Sequence, residues 1–113
     1  KNKMKSKSFT LKHVKGDLFS CPASSSICHC VSYDLAMGKG IAKLFKQKFG
    51  GIKELKQQRK QIGECAILYR NGRYIYYMIT KERYWMKPSY NDLKKTLVFM
   101  RDDAIKNNVN EIS

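Results

Sequence analysis

ICHCVSYDLAMGKGIAKLFKQKFGG, residues 27–51, is the stretch that decides the fold class. Its opening five residues, ICHCV at 27–31, form a short run apolar enough to be a strand buried on both faces. Past residue 40 the apolar period changes. Ile41, Leu44, Phe45 and Phe49 fall on one face of a helix that begins near Ile41, and Gly50-Gly51 stops it. A buried strand that passes through a glycine-bearing loop into an amphipathic helix is a building unit of α/β domains.

The flanking sequence extends this pattern in both directions. Toward the N-terminus, Phe9, Leu11 and His13 alternate with Thr10, Lys12 and Val14, a strand period ended by Gly16-Asp17. Pro22 and Ser24-Ser25-Ser26 make a connector. Toward the C-terminus, 52–59 reads as a second short helix. Segments 66–70 and 73–80 then flank Asn71-Gly72, a dipeptide that accepts the positive φ angles of a type I′ hairpin. Tyr69, Tyr74, Tyr76 and Tyr77 are strand-favouring residues there and need no functional role. Ser89 stands three residues before Asp92, resembling a capping box with aspartate in place of glutamate. Leu93, Leu97, Met100 and Ala104 follow at helical spacing, Asn107-Asn108 ends that helix, and 109–112 begins another extended segment. The predicted fold is a three-layer α/β/α domain with a mixed central sheet. The last strand of such a sheet is commonly central, so the sheet is expected to be incomplete at the C-terminus. A sheet lacking central strands is expected to be marginal in stability, or completed by another copy or segment.

Composition bounds the function. The 113 residues have room for one domain and one core, and 42% hydrophobic with 12% aromatic content is enough to build it, which excludes a disordered tail. No apolar run approaches the roughly 18 residues of a membrane span. The start, KNKMKSKS at 1–8, is a basic tail with no apolar stretch behind it and does not read as a signal peptide. The chain is expected to be soluble and intracellular. Lys and Arg total 23 against 9 Asp and Glu, a formal charge of +14, which attracts phosphates, nucleic acid, acidic lipid or nucleotide-like ligands. Spread along helices and the N-terminus, that charge reads more simply as solvated lysines than as a dedicated nucleic-acid surface. Cys21, Cys28, Cys30 and Cys65 are read as small core residues. Cys28-His29-Cys30 on a strand puts both thiols on one face and the imidazole on the other, which suits tetrahedral zinc poorly. No metal and no cofactor is implied.

Three places could hold chemistry. Lys15-Gly16-Asp17-Leu18 ends the first strand. A carboxylate there could accept from an exocyclic amine beside exposed backbone donors, although an ordinary turn aspartate explains the motif better. SYDLAMGKG at 32–40 lies between a buried strand and a helix, where ligands of α/β sheets sit; its glycines would let backbone approach a phosphate at the helix N-terminus. Gly38 and Gly40 would equally serve to shape a plain loop. Lys81 follows an apolar strand that ends at Thr80, and a partly desolvated lysine there could act as a nucleophile. With 23 basic residues present, any single lysine is more simply a surface charge.

Taken together, VKGDLF at 14–19, HCVS at 29–32, MGKGIAKLFKQKFGG at 37–51 and GRYIYYMITKER at 72–83 resemble the terminal ADP-ribose protein glycohydrolases, a family of macrodomain enzymes. The resemblance runs from about Phe9 to Ser113. It implies a macrodomain over 9–113 that lacks the family's last strands, second phosphate loop and final helix. It implies that Asp17 bonds the adenine amine with Leu18 offering backbone to the same ring, and that Ser32 lies in the ligand pocket. Met37, Gly38, Gly40 and Ile41 match the loop against the diphosphate and distal ribose. Lys81 matches the catalytic lysine, which in the family attacks the anomeric carbon of ADP-ribose esterified to glutamate or aspartate and forms a lysyl adduct that an aspartate helps to resolve. That aspartate sits beyond the position of Ser113; Asp102, Asp103 and Asp34 do not match it. Tyr33 and Lys39 differ from the usual family residues. The implied partners are ADP-ribose and ADP-ribosylated proteins, in a nuclear, DNA-damage-response setting and also the cytoplasm, without a membrane. Two other functions stay open: a non-catalytic ADP-ribose reader, and a basic module for nucleic acid or poly-ADP-ribose.

Overall fold

The computed structural model describes residues 10–11, 26–38, 40–109 and 111–113. Asn71 and Gly72 take φ of 53° and 81°, the left-handed pair that the hairpin dipeptide predicts. They fold β3 (Cys65–Arg70) back onto β4 (Arg73–Lys81) in antiparallel register from Arg70↔Arg73 to Cys65↔Met78. On the other side of β4, β2 (Ile27–Ser32) pairs in parallel. β1 (Thr10–Leu11) pairs in parallel with β5 (Glu111–Ile112), and a bridge between Ser26 and Ile112 joins the two groups. The spatial order is therefore β1-β5-β2-β4-β3, a mixed sheet with the last strand inside it. The rest of the first strand and its Gly16-Asp17 ending lie outside the described residues, as does Cys21.

Strand periodicity divides the core into two layers. Ile75, Tyr77 and Ile79 of β4 join Ile27, Val31, Ala66 and Leu68 on the face covered by α1 (Gly40–Phe49) and α2 (Ile52–Gln57). Tyr76 and Met78 join Cys65, Ile112, Met100 and Ala104 on the face covered by α3 (Tyr90–Lys106). Helices thus lie on both sides of the sheet, which is the expected three-layer arrangement. No helix among the described residues is long and apolar enough to cross a membrane.

Several expectations need correction. Cys30 is exposed and Cys28 only half-buried, so β2 is fully covered on the Ile27–His29–Val31 face alone. Among the described residues α3 lies mainly over β4 and β3, and only Cys28 of this β2 face packs against its cluster. Among the described cysteines, Cys65 is the buried core thiol. Helix α1 buries Phe45, with Ala42 and Phe49 beside it, and leaves Ile41 and Leu44 46% and 49% exposed. At 100° per residue, a stripe centred between Phe45 and Ala42 rotates both of those residues toward solvent. Helix α2 ends at Gln57, because Arg59 turns left-handed at φ 52°.

Specific contacts fix the layers. The side chain of Gln58 works as a short edge strand: its Nε2 donates to Ile67 O at 2.6 Å and its Oε1 accepts from Ile67 N at 2.8 Å. Arg70 pairs with Glu54 at 2.9 Å, tying β3 to α2. Gly51, at φ 70°, is needed where these elements meet, since a Cβ there would lie 2.9 Å from both Arg70 Nη2 and Leu68 Cδ1. Ser89 caps α3 by accepting from Asp92 N at 3.0 Å, as its position implied. Thr96, Met100 and Ala104 form the buried stripe of α3, with Leu93 and Leu97 at its margins. Tyr76 donates its hydroxyl to Asp103 Oδ2 at 2.8 Å and so fastens α3 to β4; burial first, then that carboxylate, pushes the phenol well above its usual pKa.

His29 sits under α1 with its ring stacked on Phe45 at 3.7 Å and edge-on to Tyr77 at 4.7 Å. Neither of its nitrogens has a hydrogen-bond partner among the described residues. Burial lowers its pKa from 6.5 to about 3, so the folded protein holds it neutral. The unfolded chain gains a proton below 6.5 that the folded chain refuses, and stability is lost as pH falls from 6.5 toward 3. Urea denaturation at pH 6.5 and 5 is expected to show about 2 kcal/mol less loss for His29→Phe than for the parent. Equal losses in the two proteins would contradict a neutral buried imidazole.

Candidate functional site

Lys81 is the last residue of β4 rather than the first residue after it, because the pairing with β2 continues to that point. The register shifts between Val31 and Ser32: Val31 faces Ile79, whereas Ser32 faces Lys81 and Thr80 is skipped. A bulge of this kind re-aims the strand end. The next residue, Tyr33, donates its N–H to the Lys81 carbonyl at 2.7 Å. The strand that supplies the half-buried Lys81 therefore also holds the start of the glycine-bearing loop.

The loop is built by local chemistry. Ser32, 3% exposed, donates its hydroxyl to Asp34 Oδ1 at 2.7 Å. The same oxygen accepts from Ala36 N at 3.2 Å, and Leu35 N donates to Ser32 O at 3.0 Å. Leu35 and Met37 both have left-handed backbone, at φ 56° and 45°. That conformation costs a residue with a Cβ about 1–2 kcal/mol. Both side chains are buried, at 5% and 3% exposure, in the cluster that contains Phe45 and Ile79. Burial of a Leu or Met side chain contributes about 1.5–3 kcal/mol and offsets the strain. The loop thus has an apolar underside and an upper side of backbone.

That upper side is open. No described residue comes within 4 Å of where a Cβ would stand at Gly38 or at Gly40, which has φ 61° and opens α1. The first N–H groups of a ten-residue helix have no partners within it, and they carry its positive end. An anion lying along the loop could approach the backbone there.

Of the residues expected to form the site, Ser32, Met37, Gly38, Gly40, Ile41 and Lys81 are brought to one end of the sheet, where β2, β4 and α1 meet. Asp17 and Leu18 lie outside the described residues, as does Lys39. Met37 has its side chain in the core and can offer only backbone to a ligand, whereas Ile41 presents its side chain to solvent. Sequence reasoning passed over Asp34, which organises the loop from the i+2 position after Ser32. The Ser32 hydroxyl, the largest cause, the Ala36 N–H and the Arg83 charge hold its carboxyl below the ordinary value of 3.8. Cys30 ends up beside this constellation; desolvation raises its thiol pKa, while the Thr80 hydroxyl and the Lys81 ammonium pull it back. Among the described residues no three of His, Cys, Asp or Glu converge as a metal site.

No protein-family profile matches the chain. Over 103 residues it is 53% identical to ADP-ribose glycohydrolase OARD1 of Homo sapiens, and to that of Bos taurus, covering 91% of this chain and 68% of the relative. The fold is similar to the macrodomain of Thermus aquaticus DarG, with a TM-score of 0.78 at 23% identity over 91% of this chain and 74% of the other. The macrodomain of Mycobacterium tuberculosis DarG gives 0.77 at 19% identity over 92% and 74%. Thermosipho africanus DarTG, solved in complex with ADP-ribose, gives 0.76 at 16% identity over 93% of this chain and 32% of the other. At these identities the structural likeness carries the fold alone.

The Ser32–Asp34 bond makes a direct prediction. Replacement of Ser32 by Ala should raise the Asp34 titration toward 3.8, read by NMR of the side-chain carboxyl. A depressed carboxylate adds stability above its unfolded pKa and loses it as pH falls through the folded one, so the variant should also lose part of that acid-limb dependence. An unmoved Asp34 titration would show that Ser32 does not organise the loop.

Proposed function

The chain belongs to the macrodomain family of ADP-ribose glycohydrolases, and from that premise we propose that it binds ADP-ribose and releases it from modified proteins. The observation that carries this is the 2.7 Å bond from Tyr33 N to the carbonyl of Lys81, which sets the lysine against the start of the glycine-bearing loop. An amine at a strand end beside exposed loop backbone and a helix N-terminus combines a nucleophile with a place for a diphosphate.

In this proposal the diphosphate and distal ribose lie along the backbone of 37–41, and Asp17 and Leu18 receive the adenine. The substrate is an ester between the anomeric carbon of ADP-ribose and a glutamate or aspartate side chain. The free amine of Lys81 forms a C–N bond at that carbon while the C–O bond to the carboxylate breaks, releasing the restored acidic side chain. A carboxylate is a good leaving group and an amine a strong nucleophile, so the exchange needs no metal. Water then attacks the adduct, giving free ADP-ribose and returning the lysine. Chemistry of this kind is supported by the name of the 53% identical relative and by the position of Lys81.

The test uses a glutamate-ADP-ribosylated protein and mass spectrometry of the Lys81 peptide. The parent chain, in which Asp34, Asp102 and Asp103 do not match the aspartate that helps resolve the adduct, is expected to carry an ADP-ribosyl adduct on Lys81 when the reaction is stopped and to release ADP-ribose only weakly. Lys81→Ala should lose release and adduct yet keep its calorimetric affinity for ADP-ribose. Saturable, salt-tolerant binding without release by the parent would make the chain a reader. Binding of a DNA duplex alone, lost on adding salt, would contradict the ADP-ribose site altogether.

A further inference from the structure

A second cleft adjoins this site and the chemistry proposed above does not use it. It has a volume of about 450 Å3 and lies between the first part of the β2–α1 loop and the turn that follows α2. Its floor is apolar, from Leu35, Leu55 and Ile79, and its rim carries Tyr33, Lys56 and Arg59. It is next to Lys81 along two separate paths. Ile79 precedes Lys81 by two residues on β4, and Tyr33 bonds the Lys81 carbonyl.

The rim is basic and uncompensated. Neither Lys56 nor Arg59 makes an ion pair among the described residues, and both are exposed. Among the described residues the one acid in the lining is Asp34, which holds the loop through the Ser32 hydroxyl and the Ala36 N–H, and Lys56 and Arg59 leave the lining net positive. Lys60 contributes its stem, since its ammonium sits over the Phe99 ring at 5.2 Å. Backbone strain gathers here as well. Asn71 and Asn108 tolerate the left-handed region easily, but Leu35 and Arg59, at φ 56° and 52°, adopt it in two segments that line this cleft. Holding Arg59 in that conformation fixes the direction in which its side chain leaves the turn.

We infer that this cleft is a subsite for the polypeptide that carries the ADP-ribose, and that it takes a carboxylate-rich segment flanking the modified side chain. The inference rests on the proposed function, which puts the ester at Lys81 and therefore puts the attached polypeptide beside it. Two free cations over an apolar floor fit the carboxylates and the methylene stems of a glutamate-rich segment together. The narrow site beside an aromatic rim is shorter than the extended basic track that a nucleic-acid strand requires.

The experiment measures dissociation constants of the full chain. The probes are free ADP-ribose, an amide-linked ADP-ribosyl peptide with glutamate flanks, and the same peptide with glutamine flanks. The glutamate peptide is expected to bind about tenfold more tightly than the other two, the scale of two rim charge pairs. The double reversal Lys56→Glu/Arg59→Glu should abolish that preference and leave the affinity for free ADP-ribose unchanged. Lys56→Gln/Arg59→Gln should give the same result with less perturbation of the fold. Equal affinity for the two peptides, or a preference that survives the substitutions, overturns the inference. So does displacement of the glutamate peptide by an oligothymidylate whose own binding depends on Lys56 and Arg59, which would mark a phosphate site. If free ADP-ribose fails to bind, the proposed function falls. An unmodified glutamate peptide then decides for the cleft, by binding the parent and not the reversed variant or by binding neither.

Discussion

The parallel pairing of β2 with β4 is the constraint on which the rest of the molecule depends. β4 is buried from Tyr76 to Thr80 and shares its two edges between β2 and the β3 hairpin. Its alternating side chains supply both core layers, so α1 and α2 on one face and α3 on the other are all referred to one strand. The register shift at Val31/Ser32 then ends the pairing with Ser32 opposite Lys81. A slip of one residue would exchange Tyr76 for Tyr77 between the layers and carry Lys81 away from the loop.

Strain and burial are balanced around that strand end. The left-handed backbone of Leu35 and Met37 persists because their side chains are locked into the same cluster as Phe45 and Ile79. The consequence is a loop whose apolar atoms face down and whose backbone at Gly38 and Gly40 is uncovered by any described residue. The formal +14 of the chain adds a general attraction for anions. Within the loop, the Asp34 carboxylate is held ionised by the Ser32 hydroxyl and the Ala36 N–H that it uses to fix the turn, with the Arg83 charge favouring the same form.

Much of this was legible in the residues. Asn71-Gly72 fixed the hairpin because few dipeptides accept two positive φ angles, and Ser89 with Asp92 marked the start of α3. The order of elements led to a three-layer α/β domain with a mixed sheet, as found. Patterns that depend on neighbours were less legible. Helical spacing placed Ile41 and Leu44 with Phe45, but only the docking angle of α1 decides which edge of that stripe is covered. An apolar run at 27–31 cannot reveal that α3 lies mainly over β4 and β3 while Cys30 stays exposed. At the site, Lys81 is one lysine among many by composition, and its distinction comes from a long-range bond to Tyr33. Asp34 had no signal, since its place in the loop comes from bonds to Ser32 and Ala36, and nothing in the sequence marked the left-handed turn at Arg59.

The central claim is that the loop held by Lys81 is where ADP-ribose binds. The most direct test is an amide NMR titration of the chain with ADP-ribose. The largest shifts are expected at Tyr33, Gly38, Gly40, Ile41 and Lys81, saturating together with a single dissociation constant. Shifts confined to lysines scattered over α3, or a loop that stays silent at saturation, would contradict it.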